Sequence, residues 1–300
     1  MPADRTSPET PPATGRWRVV RRVGAVVLRV APVLGIVIAV GTWSHLPHMH
    51  LQPALVGLAC WTVGNYLFCP LRWRSVSTRG KKWTWYARVY AEGELLGMLT
   101  PQHAGADLWR VRQLLHEGAE KSSAVVEVAS DRLSGGLVVA VLAVLAGMTI
   151  PPALLPFAGA AIGAIALTAY LVRRLWLPRV RTVARPKGWA FVRAALISGL
   201  YQAGYLGFTI GLVAAVGHHV DPLGVASVLG LSQMAGLLPG IHGAGPREGT
   251  MTGGLVALGL PLSAAVAAVA LGAALTWLPA LVVGGSGLAA RGWRGVRFTR

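Results

Sequence analysis

The sequence predicts an all-α integral membrane protein with about six transmembrane helices and two re-entrant hairpins made of broken helices. Composition is the first observation behind this prediction. Charged residues make up 13% of the chain and mean hydropathy is +0.55, whereas soluble domains carry about 25% charged residues. The second observation is a set of long apolar runs, and the third is a pair of similar interruptions at residues 99–110 and 238–248.

The apolar runs predict the transmembrane helices, because a helix needs about 20 residues to cross the hydrocarbon core. We place these spans near residues 30–46, 53–71, 133–150, 153–172, 194–217 and 262–288. They fall in one predicted transmembrane domain over residues 24–290. Residues 1–23 are predicted to form a disordered basic tail, and residues 291–300 a second basic tail.

The positive charge follows this topology. The net charge is +17, and 26 of the 28 Lys and Arg residues fall in the N-terminal 29 residues and in segments 72–88, 101–121, 173–193 and 291–300. The connecting loops 44–52, 151–156, 217–222 and 259–262 have none. By the positive-inside rule, both termini lie in the cytoplasm and these loops lie outside. The charge therefore does not indicate a nucleic-acid partner.

Given this topology, two further segments must enter the membrane and return on the side from which they came. Segment 89–116 begins and ends on the cytoplasmic side, and segment 223–260 begins and ends outside. Each half, about 24–150 and 153–288, then contains two spans, a re-entrant hairpin and a span, in opposite orientations. Inverted repeats with broken helices are typical of secondary transporters, whose substrate site lies near the bilayer midplane.

The two interruptions carry the residues that we expect to bind substrate. Glycines allow close approach to a ligand, a restarting helix favours an anion such as phosphate, and arginine binds phosphate bidentately. The alternative is structural, with Arg110 paired to Asp107 and Arg247 paired to Glu248. The candidates are Pro101, His103, Gly105, Asp107 and Arg110 in the first interruption, and Pro239, His242, Gly243, Gly245, Arg247 and Glu248 in the second.

A further polar cluster, Glu127, Asp131 and Arg132, begins the third span and is also a candidate for substrate binding. Ionisable residues at membrane depth are usually functional. If they lie at the cytoplasmic end of the span, their charged groups reach water by snorkelling at little cost and need no function. This alternative stays open. Glu92 and Glu94, before the first interruption, have the same two interpretations. The sequence contains no nucleotide, serine-nucleophile or zinc motif, so we expect no catalytic residue, cofactor or metal.

At these motifs the chain resembles the flippase-like family named for the lysylphosphatidylglycerol synthase transmembrane region, as a stand-alone member. The similarity covers roughly residues 25–290, and His103, His242 and Pro246 depart from the family pattern. The motifs that carry it are Leu99-Thr-Pro101 with Gly105-Ala-Asp107 and Arg110, the segment Ala124 to Asp131-Arg132-Leu, and Leu238-Pro239 with Gly243-Ala-Gly245-Pro-Arg247-Glu248.

The resemblance implies a multi-pass protein of the bacterial inner membrane and favours lipid translocation. We therefore expect a flippase or transporter that moves a phosphate-bearing lipid headgroup through a midplane cavity between the hairpins. The expected partner is a phospholipid or glycolipid, with a glycosyltransferase or lipid-modifying enzyme as a further partner. The alternatives are a membrane enzyme or partner subunit for lipid-linked glycosyl transfer, and a membrane scaffold without catalytic activity.

Overall fold

The computed structural model describes residues 49–147, 163, 188–236, 240 and 242–297, all within the unit Trp43–Arg300. Helices dominate these residues, as the sequence predicts. In chain order they are α1 (Leu51–Val63), α2 (Cys69–Val76), α3 (Trp83–Met98), α4 (Ala104–His116), α5 (Lys121–Gly147), α6 (Gly188–Ala215), α7 (Pro222–Ala235), α8 (Pro246–Ala257), α9 (Leu262–Pro279) and α10 (Ser286–Arg297). Short π-helical segments join α1 to α2 and α9 to α10.

Three helical stretches in the described part of the chain are long and apolar enough to cross a membrane. They are Leu51–Val76, Gly188–Ala215 and Leu262–Arg291, with 26, 28 and 30 residues. They confirm helices of spanning length at three of the predicted positions. The predicted span 133–150 falls on α5 as far as Gly147. The predicted spans 30–46 and 153–172 and the tail 1–23 lie outside the described residues, apart from residue 163.

The first predicted interruption is a break between two antiparallel helices. Helix α3 ends at Met98, a single 3₁₀ turn covers Pro101–His103, and α4 begins at Ala104. The Thr100 hydroxyl stabilises the break because it accepts a hydrogen bond from the Gly105 amide at 2.8 Å. Gly105 is required for close packing of the arms, because a Cβ atom there would lie 2.5 Å from the Leu96 carbonyl oxygen.

The second predicted interruption has the same helix–break–helix form. Helix α7 begins after Asp221, whose carboxylate accepts a hydrogen bond from the Gly224 amide at 2.8 Å, and ends at Ala235. Helix α8 starts with Pro246 in its first turn, where the missing amide hydrogen costs nothing. In the break, Gly243 has a φ of 87°, which favours glycine. Pro239 lies outside the described residues.

Three apolar cores hold the two hairpins in place. One lies between α1, α6 and α9 around Trp61 and Phe208. The second joins α2, the first hairpin and α5 around Trp73 and Leu114, and the third joins α6, α7, α8 and α9 around Leu255. The first hairpin therefore packs into the first two cores and the second hairpin into the third, and the two breaks meet between them.

Candidate functional site

A cavity of about 1030 Å³ lies where the two breaks meet, and both hairpins and helices α1, α2, α5, α6 and α9 contribute to its wall. Apolar side chains such as Trp61 and Phe208 line part of it. The imidazole rings of His103 and His242 lie edge to face, with centroids 6.1 Å apart. The charged and histidine side chains of the wall are Arg72, Glu94, His103, Arg132, His242, Arg247 and Glu248.

Asp131 lies at the centre of an ion-pair network beside this cavity and is completely buried. Its two carboxylate oxygens accept hydrogen bonds from Arg72 at 2.7 and 3.1 Å, and one also accepts from Arg110 at 2.8 Å. Arg110 reaches Asp107 at 3.0 Å, and Asp107 in turn binds Arg132 at 3.0 Å. The network thus alternates three guanidiniums with two carboxylates.

Arg110 is enclosed within this network. Its side chain is 2% exposed, and the guanidinium lies 4.9 Å from the Tyr90 ring centroid and 5.7 Å from that of Trp73. Its pair with Asp107 is the structural alternative that the sequence left open, and Asp131 adds a second carboxylate. The sequence does not predict this role for Arg72, which lies in a basic segment predicted to be cytoplasmic. The sequence feature that could have indicated it is the position of this arginine at the end of an apolar run.

Arg247 has a different environment, although it occupies the corresponding motif. It is the second residue of α8 and lines the cavity. Its guanidinium donates a hydrogen bond to the Tyr205 hydroxyl and lies 5.2 Å from the Tyr205 ring centroid. No ion pair in the described part of the chain includes Arg247. Glu248 instead accepts a hydrogen bond from the Gly243 amide at 3.2 Å.

The two motif histidines each have a polar neighbour. The Nε2 atom of His103 lies 3.6 Å from a carboxylate oxygen of Glu94. His103 adopts a left-handed backbone conformation, with φ of 56°, which turns the chain into α4. The Nε2 atom of His242 lies 3.1 Å from the Thr276 hydroxyl on α9, and its ring meets the edge of Trp277.

Other acidic residues connect helices away from the cavity. Glu127 accepts hydrogen bonds from the Trp73 indole at 3.1 Å and from Arg79 at 3.2 Å, so it holds the start of α5 against the segment after α2. Glu92, fully buried, binds Arg291 at 2.7 Å. At the end of α4, a hydrogen bond from Lys81 holds the pKa of Glu117 below its usual value.

The structure thus separates the predicted site residues into groups. His103, Arg132, His242, Arg247 and Glu248 line the cavity. Asp107, Arg110 and Asp131 belong to the network beside it, and Glu127 lies elsewhere. Pro101, Gly105, Gly243 and Gly245 shape the breaks. Within the described ranges, no group of three or more His, Cys, Asp or Glu residues could hold a metal ion.

Comparison with known proteins identifies one family. The model of the family described as lysylphosphatidylglycerol synthase TM region matches residues 23–284. This match covers well over half of the chain and includes both hairpins and the cavity. Neither the curated proteins nor the solved structures include a match to the chain.

Proposed function

Because the chain belongs to the lysylphosphatidylglycerol synthase transmembrane-region family, we propose that it is a lipid flippase of the bacterial inner membrane. In this proposal it moves a phosphate-bearing lipid headgroup through the cavity between the two hairpins. The acyl chains stay in the bilayer while the headgroup crosses. The family and the apolar helices support a membrane protein with a lipid-related function, and the cavity suggests transport as that function.

The observation that carries the proposal is Arg247. It lines the cavity with a tyrosine partner and no ion pair in the described part of the chain, whereas Arg72 and Arg132 on the same wall are paired with aspartates. A guanidinium next to free backbone amides at a helix start suits a phosphate, which it binds with two parallel hydrogen bonds. Arg247 meets this requirement because it is the second residue of α8.

We extend the proposal to the topology. In this proposal the termini are cytoplasmic and the loop at His219 lies outside, which the distribution of positive charge supports, so the hairpins would enter from opposite faces. In a background with Cys60 and Cys69 replaced by serine, a cysteine at Ser77 should react only with a reagent applied from the cytoplasmic side. A cysteine at His219 should react from the outside, and the reverse pattern at either position would refute the inverted arrangement.

Transport is tested with purified protein in lipid vesicles that contain phosphatidylglycerol or phosphatidylethanolamine labelled on an acyl chain with a fluorophore. A reductant added outside destroys the fluorescence of the outer leaflet, so movement from the inner leaflet appears as further loss. We expect faster loss than in empty vesicles, and little acceleration with Arg247→Ala. Arg193→Ala, at an exposed arginine on α6, is the matched control.

The same vesicles separate the alternative functions. A new lipid product on a chromatogram, formed when a lipid-linked sugar is supplied, would identify a membrane enzyme instead of a flippase. Rates equal to those of empty vesicles for every probe, with well-folded protein, would refute the proposal and favour a scaffold.

A further inference from the structure

We propose that His103 and His242 form the binding site of a proton that crosses the membrane together with the lipid headgroup. This inference rests on the proposed flippase function and adds its source of energy. The two histidines come from the two breaks, so a proton held there acts where the hairpins meet.

The hydrogen bonds of Thr276 favour one tautomer of His242. A hydroxyl group has one hydrogen, and the Thr276 hydroxyl lies 2.9 Å from the Ala273 carbonyl, to which it donates. With that hydrogen on the carbonyl, the hydroxyl oxygen accepts the hydrogen of His242 Nε2, 3.1 Å away. In the neutral ring, Nδ1 is then an unprotonated acceptor. That atom is buried and has no hydrogen-bond partner among the described residues, so it is available to bind a proton.

The surroundings of His242 supply charges of both signs. The first hairpin contributes Glu94 and His103, and the second contributes Arg247 and Glu248. Helix α9 contributes the uncharged Thr276 and Trp277. The other titratable groups of the wall are Cys69, Arg72, Tyr90, Arg132, Tyr201 and Tyr205, of which Arg72 and Arg132 are paired with aspartates.

Charge balance links the proton to the headgroup. With neutral histidines, the cavity and its network hold the guanidiniums of Arg72, Arg110, Arg132 and Arg247 against the carboxylates of Glu94, Asp107, Asp131 and Glu248, so the formal charges cancel. A phosphate monoanion adds one negative charge, and a proton on the histidine pair restores neutrality. Since an uncompensated charge at this depth is costly, each ligand strengthens binding of the other.

The coupled step follows from this linkage. A proton enters from the more acidic side and binds the histidine pair while the headgroup phosphate binds Arg247. Both leave on the opposite side, where the proton returns to water, and no bond in the lipid changes. The lipid should therefore accumulate in the leaflet that faces the less acidic solution.

Vesicles with a pH gradient of about one unit and labelled phosphatidylglycerol provide the test. For one proton per lipid, the gradient supports up to about a tenfold concentration ratio between the leaflets. His242→Gln is the informative variant, because the glutamine amide can still donate to Thr276 but does not bind a proton. We expect its leaflet ratio to stay near one. His219→Gln, at an exposed loop histidine, should keep the wild-type ratio.

The outcomes distinguish this inference from the proposed function. If wild-type protein moves the probe but the gradient leaves the leaflets equal, or if His242→Gln keeps the wild-type ratio, the proton site is refuted and the flippase stands. If no probe moves, the flippase fails, and nitrogen NMR of histidine-labelled protein tests the site directly. A His242 Nδ1 signal that shifts as the pH is lowered from about 8 supports the proton site. An unchanged signal refutes it.

Discussion

The two hairpins are built from the same kinds of residue, yet their arginines have opposite environments. Both consist of a helix, a break that contains a histidine, and a second helix that carries an arginine. Arg110 is 2% exposed and binds two carboxylates. Arg247 lines the cavity with a tyrosine as its partner.

The position along the helix explains the difference. Arg110 is the seventh residue of α4, almost two turns from the break, and from there it reaches Asp131 on α5. Arg247 is the second residue of α8 and stays at the break. A shared motif therefore does not imply a shared role. We infer that the arginine of the first hairpin anchors the fold and that the arginine of the second binds the ligand.

The largest effect should come from removing the centre of the ion-pair network. Asp131→Ala leaves the buried guanidiniums of Arg72 and Arg110 side by side without their shared carboxylate. Breaking a buried pair in this way costs about 3–5 kcal/mol. We expect a large drop in membrane yield and in the thermal midpoint of the purified protein in detergent.

Glu117→Ala is the matched control for this experiment, because it also removes a carboxylate that pairs with a cation, Lys81. Both of those side chains are partly exposed, so the expected loss is below about 1 kcal/mol. If Asp131→Ala and Glu117→Ala are equally stable, the ion-pair network at Arg110 does not anchor the fold.

The next largest effect separates the arginines by function. Arg247→Ala should lower the rate of lipid movement about 30-fold or more, since loss of a desolvated charged contact costs roughly 2–5 kcal/mol. Arg247→Lys should restore little, because an ammonium cannot reproduce the planar fork. Thermal midpoint and membrane yield should stay close to wild type. If the Arg247→Ala protein moves lipid at the wild-type rate, Arg247 does not bind the headgroup.

Sequence analysis could predict the breaks but not the pairing partners. Pro101 and the glycines of the second interruption change the backbone locally, so both interruptions and three helices of spanning length appear where they were predicted. Asp131 and Arg72 are 59 residues apart, and they meet only because of how α2 and α5 are rotated in the packed structure. Since packing sets that rotation, the sequence could not exclude Arg110 from the cavity or include Arg72.

The two breaks also use glycine for different physical reasons, and substitutions should reveal this. Gly105 is limited by space, since a Cβ atom would lie 2.5 Å from the Leu96 carbonyl oxygen. Any side chain there should cost about 1–3 kcal/mol. Gly243 is limited by its φ of 87°, so alanine should cost about 1–2 kcal/mol and asparagine less, because asparagine tolerates this region.

Thermal midpoints of Gly105→Ala, Gly105→Asn, Gly243→Ala and Gly243→Asn test this difference. We expect asparagine to rescue part of the loss at Gly243 only. Rescue at both positions would mean that the first break is also governed by backbone conformation.

The smallest effect concerns His103. Its backbone is left-handed, as is that of Gly243 in the second break, but His103 carries a side chain and Gly243 does not. His103→Gly relieves a conformational penalty of about 1–2 kcal/mol but gives the unfolded chain more freedom, which costs roughly 0.5–1 kcal/mol. The net change in stability should stay below about 1 kcal/mol, as measured by the thermal midpoint. A larger loss would show that the contacts of the imidazole with Glu94 and His242 hold the break together. In that case the histidine pair would belong to the anchoring of the fold rather than to the binding of a proton.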